Sequence, residues 1–298
     1  RNMHWPSIFT YMASSFMIVL FNKTILTVFA FTSVPFIMFC QSAFTLAILL
    51  LRRTNIQRPN KDILLTAVLN VANTFFGISA AGAINIAMFT ALRRFSIFFT
   101  LVAQHYILGR RSTTEVFSTV VVMIFGSFVA AIDDLTFNPT GYMFIFVNNV
   151  LTTAAQIQTK KALANDATKV SVLFWTACMT TVVTGANIAH FDPSSFHAWD
   201  STAFQVAFAA SVILGFVINY GSAWTIQEND ALTLAIAGST KSALMGLLVA
   251  CGLFDHTYAF SKWNFIGLQI SAGASLAYAF FANKPTVEPE PKEPEPNV

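Results

Sequence analysis

Residues 203–226 read AFQVAFAASVILGFVINYGSAWTI, an apolar run without a charged side chain. A helix needs about 20 consecutive, mostly apolar residues to cross the hydrocarbon core of a bilayer. The run is continuously apolar, whereas the strands of a membrane barrel alternate between apolar and polar residues. This stretch is therefore predicted to be a membrane-spanning helix.

The rest of the chain repeats this pattern. Of its 298 residues 55% are hydrophobic and 10% are charged, whereas a soluble domain carries about 25% charged residues. The composition excludes a water-soluble globule, and the net charge of +3 excludes nucleic-acid binding over a basic surface. An all-α integral membrane protein with ten transmembrane helices is predicted, at about 8–30, 35–51, 63–84, 86–108, 115–132, 140–160, 170–189, 203–226, 231–253 and 263–282.

The connecting segments predict the orientation of these spans. Alternate connections carry nine basic residues: Arg52, Arg53, Arg58, Lys61, Arg110, Arg111, Lys160, Lys161 and Lys169. The opposite connections carry five aspartates: Asp133, Asp134, Asp192, Asp200 and Asp255. Basic residues concentrate in cytoplasmic loops, so both termini are predicted to be cytosolic.

The two halves of the chain resemble each other. An offset of 147 places Gly126 opposite Gly273 and Arg94 opposite Lys241. Five spans in each half give the halves opposite orientations, which is the inverted-repeat arrangement of many secondary transporters. We therefore expect repeats at 1–134 and 135–283, followed by a disordered, cytosolic Pro/Glu-rich tail at 284–298. Because the chain opens at Arg1, we also expect some N-terminal residues to be missing.

Four cations lie within the apolar spans: Lys23 in the first, Arg93 and Arg94 in the fourth, and Lys241 in the ninth. Each costs about 2.5–3.5 kcal/mol at a helix centre, and no span carries an acidic residue in its middle. Cations without internal anions predict an aqueous cavity that receives an anionic ligand. Alternatively, Lys23 reaches the interface, and Arg93 or Arg94 lies at the luminal headgroups.

Uncharged polar residues also lie within the apolar spans. Candidate ligand contacts are Asn148 and Asn149 in the sixth span, Ser239 and Thr240 beside Lys241, and Tyr11, Tyr220 and Ser222. The two asparagines could read the edge of a base or could hydrogen-bond between helices. No catalytic motif is present, and the three cysteines form neither a disulfide framework nor a metal site. No enzyme activity, metal or cofactor is predicted.

The sequence resembles the nucleotide-sugar transporters of the drug/metabolite transporter superfamily. The resemblance lies in Tyr11-x-x-Ser14-Ser15-x6-Asn22-Lys23, in Phe146-Val-Asn148-Asn149, which is similar to an FYNN motif that holds the base, and in Gly238-Ser-Thr-Lys241 around a substrate-binding lysine. It implies ten helices in two inverted repeats, a Golgi or endoplasmic reticulum membrane, and exchange of a nucleotide sugar for a nucleoside monophosphate. The oligomeric state, including a homodimer, stays open.

The branch of the family follows from further residues. Met88-Phe-Thr-Ala-Leu-Arg93-Arg94 and Asp134-Leu-Thr-Phe-x4-Tyr142 look like carriers of UDP-glucuronic acid, UDP-N-acetylglucosamine and UDP-N-acetylgalactosamine. Val147 stands where GDP-mannose carriers have tyrosine, although Asn149 stands where the UDP branch has aspartate. A UDP-sugar:UMP antiporter is predicted. The alternatives are a GDP-sugar:GMP antiporter, a sugar-phosphate carrier of the same superfamily and an integral-membrane enzyme.

Overall fold

The chain is helical throughout the part that the computed structural model describes, which comprises residues 3–31, 33–52, 55–83, 89, 92–109, 113–131, 138–188, 197–238 and 262–282. No strand occurs in these ranges, so the prediction of an all-α protein is confirmed. The helices are α1 (Trp5–Lys23), α2 (Val34–Leu51), α3 (Lys61–Ala83), α4 (Phe95–Leu108), α5 (Thr114–Ala131), α6 (Pro139–Ala164), α7 (Lys169–Asn187), α8 (Thr202–Glu228), α9 (231–238) and α10 (Lys262–Ala282).

Several of these helices have the dimensions of membrane spans. By length and composition, Trp5–Leu26, Val34–Leu51, Lys169–Asn187 and Thr202–Glu228 can cross a bilayer. Shorter apolar helices lie at Phe95–Leu108, Thr114–Ala130 and Phe265–Tyr278. Each described helix overlaps one of the ten predicted spans, and large apolar side chains such as Phe128 and Phe280 point outwards. A protein of this kind is suited to a lipid environment.

Local capping sets many of the helix ends. Ser33 accepts a hydrogen bond from the Phe36 N–H at 3.4 Å, and Asn138 accepts from the Gly141 N–H at 3.3 Å. Gly109 closes α4 in the left-handed conformation, with φ +63°. These residues satisfy peptide groups that the helix ends leave unpaired.

Two predicted spans differ from the helices that form. The first span, predicted at 8–30, is α-helical from Trp5 to Lys23 and continues as a π-helical turn at Thr24–Val28. The fourth span, predicted at 86–108, is represented by α4, which begins at Phe95 after a turn at residues 93 and 94. Hydropathy reports an apolar run, and it does not register where the hydrogen-bond ladder breaks within that run.

The principal helix contacts join the first half of the chain to the second. Helix α1 packs on α8, α2 on α7 and α8, α3 on α6 and α7, and α5 on α10. One apolar core gathers side chains of α4, α5, α9 and α10, including Ile97, Met123 and Tyr278. The bundle is thus assembled from contacts between the halves, and the interior surfaces of α1, α2, α3, α7 and α8 face one another.

Candidate functional site

Arg94 lies at the amino end of α4, inside the helix bundle. Its side chain is 1% exposed, and the 14 residues of α4 place it about 21 Å along the axis from the opposite end of the helix. Its Nε, Nη1 and Nη2 atoms have no hydrogen-bond partner among the described residues. A buried cation is costly unless an anion pairs with it. The position therefore suits an anionic ligand.

The helix end itself adds to this positive potential. Peptide dipoles place about half a positive charge at the amino end of a helix, within its first turn. Anionic groups bind at such ends, and helices that break within the membrane use them to hold anionic substrates. The break before Phe95 and the Arg94 side chain therefore combine at one point.

Tyr11 lies beside the end of α9, and Arg93, the sequence neighbour of Arg94, lies within electrostatic range of it. The Arg93 guanidinium lies 5.6 Å from the centre of the Phe89 ring, and its charge interacts with the Tyr11 hydroxyl. A Cβ atom placed on Gly238 would lie 3.2 Å from that hydroxyl oxygen. The structure thus brings Tyr11 and Arg93 together beside Gly238, the first residue of the predicted lysine motif.

Asn148 and Asn149 lie in α6 with side chains that are 1% and 2% exposed. Asn148 Nδ2 donates to the backbone oxygen of Asn73 at 2.7 Å and to its Oδ1 at 2.8 Å. Asn149 Nδ2 donates to the Leu92 carbonyl at 2.9 Å. The Oδ1 atoms of both asparagines are buried and take no hydrogen bond from any described residue. The amide nitrogens therefore join helices, and the two oxygens can accept N–H groups from a ligand.

Tyr220 and Ser222, also predicted to bind the ligand, contact residues of α7 and α8 instead. The Lys169 ammonium lies 5.3 Å from the centre of the Tyr220 ring, which also stacks on Phe216 at 6.1 Å. The Ser222 hydroxyl donates to the carbonyl of Asn219 in its own helix at 2.9 Å. The structure shows no contact that joins these two residues to Arg94 or the asparagines.

Four predicted ligand contacts lie outside the described part of the chain. Ser239, Thr240 and Lys241 follow the last described residue of α9, and the Lys23 side chain is also outside it, although its backbone ends α1. Their roles stay predictions.

A polar cavity of about 590 Å³ opens between α1, α2, α3, α7 and α8. Its volume lies within the 300–1,000 Å³ that small-molecule sites occupy. None of the predicted ligand contacts appears among its described lining residues, whose polar members are Asn22, Gln41, Ser42, Thr45, Asn70, Thr74, Thr176, Thr180 and Asn219. The sequence carried a signal for some of them, since Gln41 and Asn70 are amides within apolar spans.

The environment of Lys160 differs from the one that the sequence predicts. The sequence pattern places Lys160 among the basic residues of a cytosolic connection, whereas in the structure it lies in α6 and is 9% exposed. Its ammonium donates to the carbonyls of Ile226, Gln227 and Asn229, at 2.6, 3.1 and 2.9 Å. Lysine at this place satisfies carbonyls at the end of α8 and complements the helix dipole.

Comparisons with known proteins identify the relatives of the chain. Nucleotide sugar transporter SLC35D2 of Mus musculus is 34% identical over 94% of this chain and 89% of its own length. UDP-sugar transporter UST74c of Drosophila melanogaster is 33% identical over 91% of this chain and 75% of its own length. GDP-mannose transporter GONST1 of Arabidopsis thaliana is 24% identical over 52% of this chain and 50% of its own length.

The fold is also found among solved structures. A crystal structure superposes with a TM-score of 0.66 at 16% identity and covers 91% of this chain and 97% of that one. No family model matches the chain.

Proposed function

The chain belongs to the nucleotide-sugar transporter family, and from this premise we propose that it exchanges a cytosolic UDP-sugar for luminal UMP. The substrate belongs to the class of UDP-N-acetylglucosamine, UDP-N-acetylgalactosamine and UDP-glucuronic acid. The membrane is that of the Golgi or endoplasmic reticulum, and both termini lie in the cytosol, an orientation that the distribution of basic residues between spans supports. Its relatives are transporters and not enzymes.

The buried guanidinium of Arg94 is the observation that carries this proposal. A diphosphate offers acceptor oxygens to all three nitrogens, which have no hydrogen-bond partner among the described residues. Lys241, which the 147-residue offset pairs with Arg94, supplies the second cation. Phosphate binding between two cations distinguishes a nucleotide sugar from a neutral metabolite.

The uracil base is assigned to the asparagine pair. Asn148 Oδ1 and Asn149 Oδ1 are acceptors without a donor among the described side chains, and uracil presents one N–H group on its pairing edge. Relatives named as UDP-sugar transporters match nearly the whole chain, whereas the GDP-mannose transporter matches about half of it at lower identity. The unpaired oxygens support binding of a base with an N–H donor, and the coverage of the relatives supports UDP over GDP.

Obligatory exchange has a physical cause in this arrangement. Closing an empty cavity leaves cations unpaired in a low-dielectric interior, at a cost of several kcal/mol per ion. A bound nucleotide removes that cost. Loaded carriers therefore change conformation quickly, and empty carriers change slowly.

The helix pairing supports two inverted five-helix repeats. A symmetry that exchanges the halves replaces each helix by the one five places along, so that α1 becomes α6 and α8 becomes α3. The α1/α8 contact then becomes the α3/α6 contact, and the α2/α8 contact becomes the α3/α7 contact. The α2/α7 and α5/α10 pairs map onto themselves. Rocking of one half against the other would expose the cavity to each side in turn.

Contacts between the halves lie at both ends of the bundle and suit two gates. At the predicted cytosolic end, Gln57 hydrogen-bonds to the segment that joins α6 to α7. At the predicted luminal end, Phe31 packs against Trp199 with ring centres 6.2 Å apart, in an apolar cluster with Phe36, Phe204 and Phe208. Alternating access requires each contact to open while the other stays closed.

Exchange by purified protein in liposomes tests the proposal. Vesicles are preloaded with UMP, with GMP or with no nucleotide, and radiolabelled UDP- and GDP-sugars are offered outside. We expect uptake of UDP-sugars into UMP-loaded vesicles only, and loss of uptake with Lys241→Ala but not with Lys262→Ala, an exposed lysine of α10. Uptake driven by GMP would identify the GDP-sugar alternative. Fast uptake into empty vesicles would contradict antiport.

A further inference from the structure

We propose that the polar cavity between α1, α2, α3, α7 and α8 is the chamber for the sugar, and that Thr176 and Gln41 recognise its hydroxyl or acetamido groups. The inference rests on the proposed function, because it assigns one part of the transported molecule to this cavity. The neutral amides and hydroxyls of its wall match an uncharged hexose, which within the proposed class means the N-acetylglucosamine or N-acetylgalactosamine group.

The cavity lies next to the residues assigned to the nucleotide. Asn22, in its wall, lies eleven residues after Tyr11 in α1, which is three helical turns and about 16 Å along the same face. On α3, Thr74 lines the cavity, and its neighbour Asn73 holds Asn148. A ligand with its base at Asn148 therefore extends its other end into the cavity.

Gln41 is held in a fixed orientation on the cavity wall. Its Nε2 donates to the Ser211 hydroxyl at 2.9 Å and to the Ser211 carbonyl at 3.3 Å, and the Ser211 hydroxyl donates in turn to Asn22 Oδ1. A Cβ atom on Gly215 would lie 2.8 Å from Gln41 Cγ, so glycine leaves room for this side chain. The bonds to Nε2 fix the amide plane, and Oε1 is available to accept from a sugar hydroxyl.

Thr176 provides the most direct indication of a ligand. Its hydroxyl is buried and has no hydrogen-bond partner in the described ranges, although Thr176 lines the cavity. Buried polar groups are nearly always satisfied. The neighbouring threonines of the same helix are satisfied: the Thr180 hydroxyl donates to the carbonyl of Thr176 at 2.9 Å, and the Thr184 hydroxyl donates to the carbonyl of Thr180 at 2.7 Å. We assign the missing partner to a sugar hydroxyl, toward which the Thr176 side chain rotates, because its hydroxyl is shielded from the cavity in this conformation.

The ratio of two half-saturation constants tests the assignment. Reconstituted protein is measured with UDP-N-acetylglucosamine or UDP-glucose, whichever it exchanges faster, and with UMP, which lacks the hexose. One lost hydrogen bond between neutral groups raises the sugar-to-UMP ratio about threefold to tenfold, and we expect this for Thr176→Val and for Gln41→Leu. Thr184→Val, in the same helix with its hydroxyl bonded to backbone, is the matched control and keeps the wild-type ratio.

Two failures can be told apart. If the wild-type protein exchanges no UMP for a UDP-sugar, the proposed function is wrong. If it does, and Thr176→Val and Gln41→Leu leave the ratio unchanged or lower it, the cavity does not bind the sugar and this inference alone is overturned. Thr176→Val keeps the test open even where Gln41→Leu disturbs folding, because the hydroxyl it removes bonds to no described residue.

Discussion

Gly126 in α5 and Gly267 in α10 meet backbone to backbone where the two helices cross. A Cβ atom on Gly126 would lie 2.7 Å from the carbonyl oxygen of Gly267, and one on Gly267 would collide with the carbonyl oxygen of Gly126. Small residues let membrane helices approach this closely. The crossing joins the last helix of the first half to the last helix of the second.

Gly267→Ala is expected to destabilise the protein by about 1–3 kcal/mol, because the added methyl group meets backbone atoms that cannot rotate away. Gly273→Ala is the matched control in the same helix, since no atom lies within 4 Å of a Cβ there. That change is expected to be neutral or to stabilise by up to about 1 kcal/mol through helix propensity. Thermal unfolding in detergent measures both. Equal changes in melting temperature for the two variants would contradict a close backbone contact at this crossing.

The sequence predicts an equivalence between residues of the two halves, and it does not predict which residues touch. The offset of 147 pairs Gly126 with Gly273, whereas the residue that touches Gly126 is Gly267. An offset compares places in two repeats, and a contact depends on how the helices cross. Hydropathy located the helices well because the cost of burying peptide groups in lipid fixes their length.

The residues of the candidate site could be predicted only where a charged or amide side chain interrupts an apolar span. Arg94 and the pair Asn148 and Asn149 stood out in this way, and the structure buries all three. Thr176 did not, since threonine is common in such helices. The inward face of a membrane helix is hard to read from sequence because lipid-facing and core-facing residues are similarly apolar.

Gln57 joins the two halves at the predicted cytosolic end through both its backbone and its side chain. Its Oε1 accepts from the Thr168 N–H at 2.9 Å, and its carbonyl accepts from the Trp175 indole at 3.1 Å. Gln57→Leu is expected to speed amide hydrogen exchange at Thr168 about fivefold, which corresponds to about 1 kcal/mol for one hydrogen bond. Mass spectrometry of the peptide that contains Thr168 gives the rate. The exposed Gln227, changed to Leu, serves as the control, and an unaltered rate at Thr168 would mean that this contact does not hold the end closed.

Asp62 links the same end of the bundle through a charge. Hydrogen bonds from Asn165 and Gln158, both at 2.9 Å, hold the pKa of the Asp62 carboxyl below its usual range. A lowered pKa in the folded state stabilises the fold above the unfolded pKa of about 3.9 and loses that effect as pH falls through the folded value. The melting-temperature difference between wild type and Asp62→Asn should therefore be constant near neutral pH and shrink below about pH 4. A difference that stays constant down to pH 2.5 would contradict the role of the carboxylate.

Arg94 allows binding and stability to be tested separately, because the side chain that we propose to bind phosphate is costly to bury alone. Arg94→Met removes a cation whose three nitrogens lack partners in the described bundle. We expect the empty protein to keep its stability or gain about 1–2 kcal/mol. Exchange is expected to fall about 10- to 100-fold, which corresponds to the loss of one hydrogen bond to a charged group.

Thermal unfolding with and without UDP-N-acetylglucosamine or UDP-glucose measures both the stability of the empty protein and the binding of the ligand. A ligand that binds the folded state raises its melting temperature, so the wild-type protein should show a shift that Arg94→Met loses. Arg58→Met, at an exposed position before α3, should keep both the shift and the exchange rate. If Arg94→Met instead destabilised the empty protein and kept the ligand shift, Arg94 would be a structural residue, and the phosphate site would have to be sought at the other intramembrane cations.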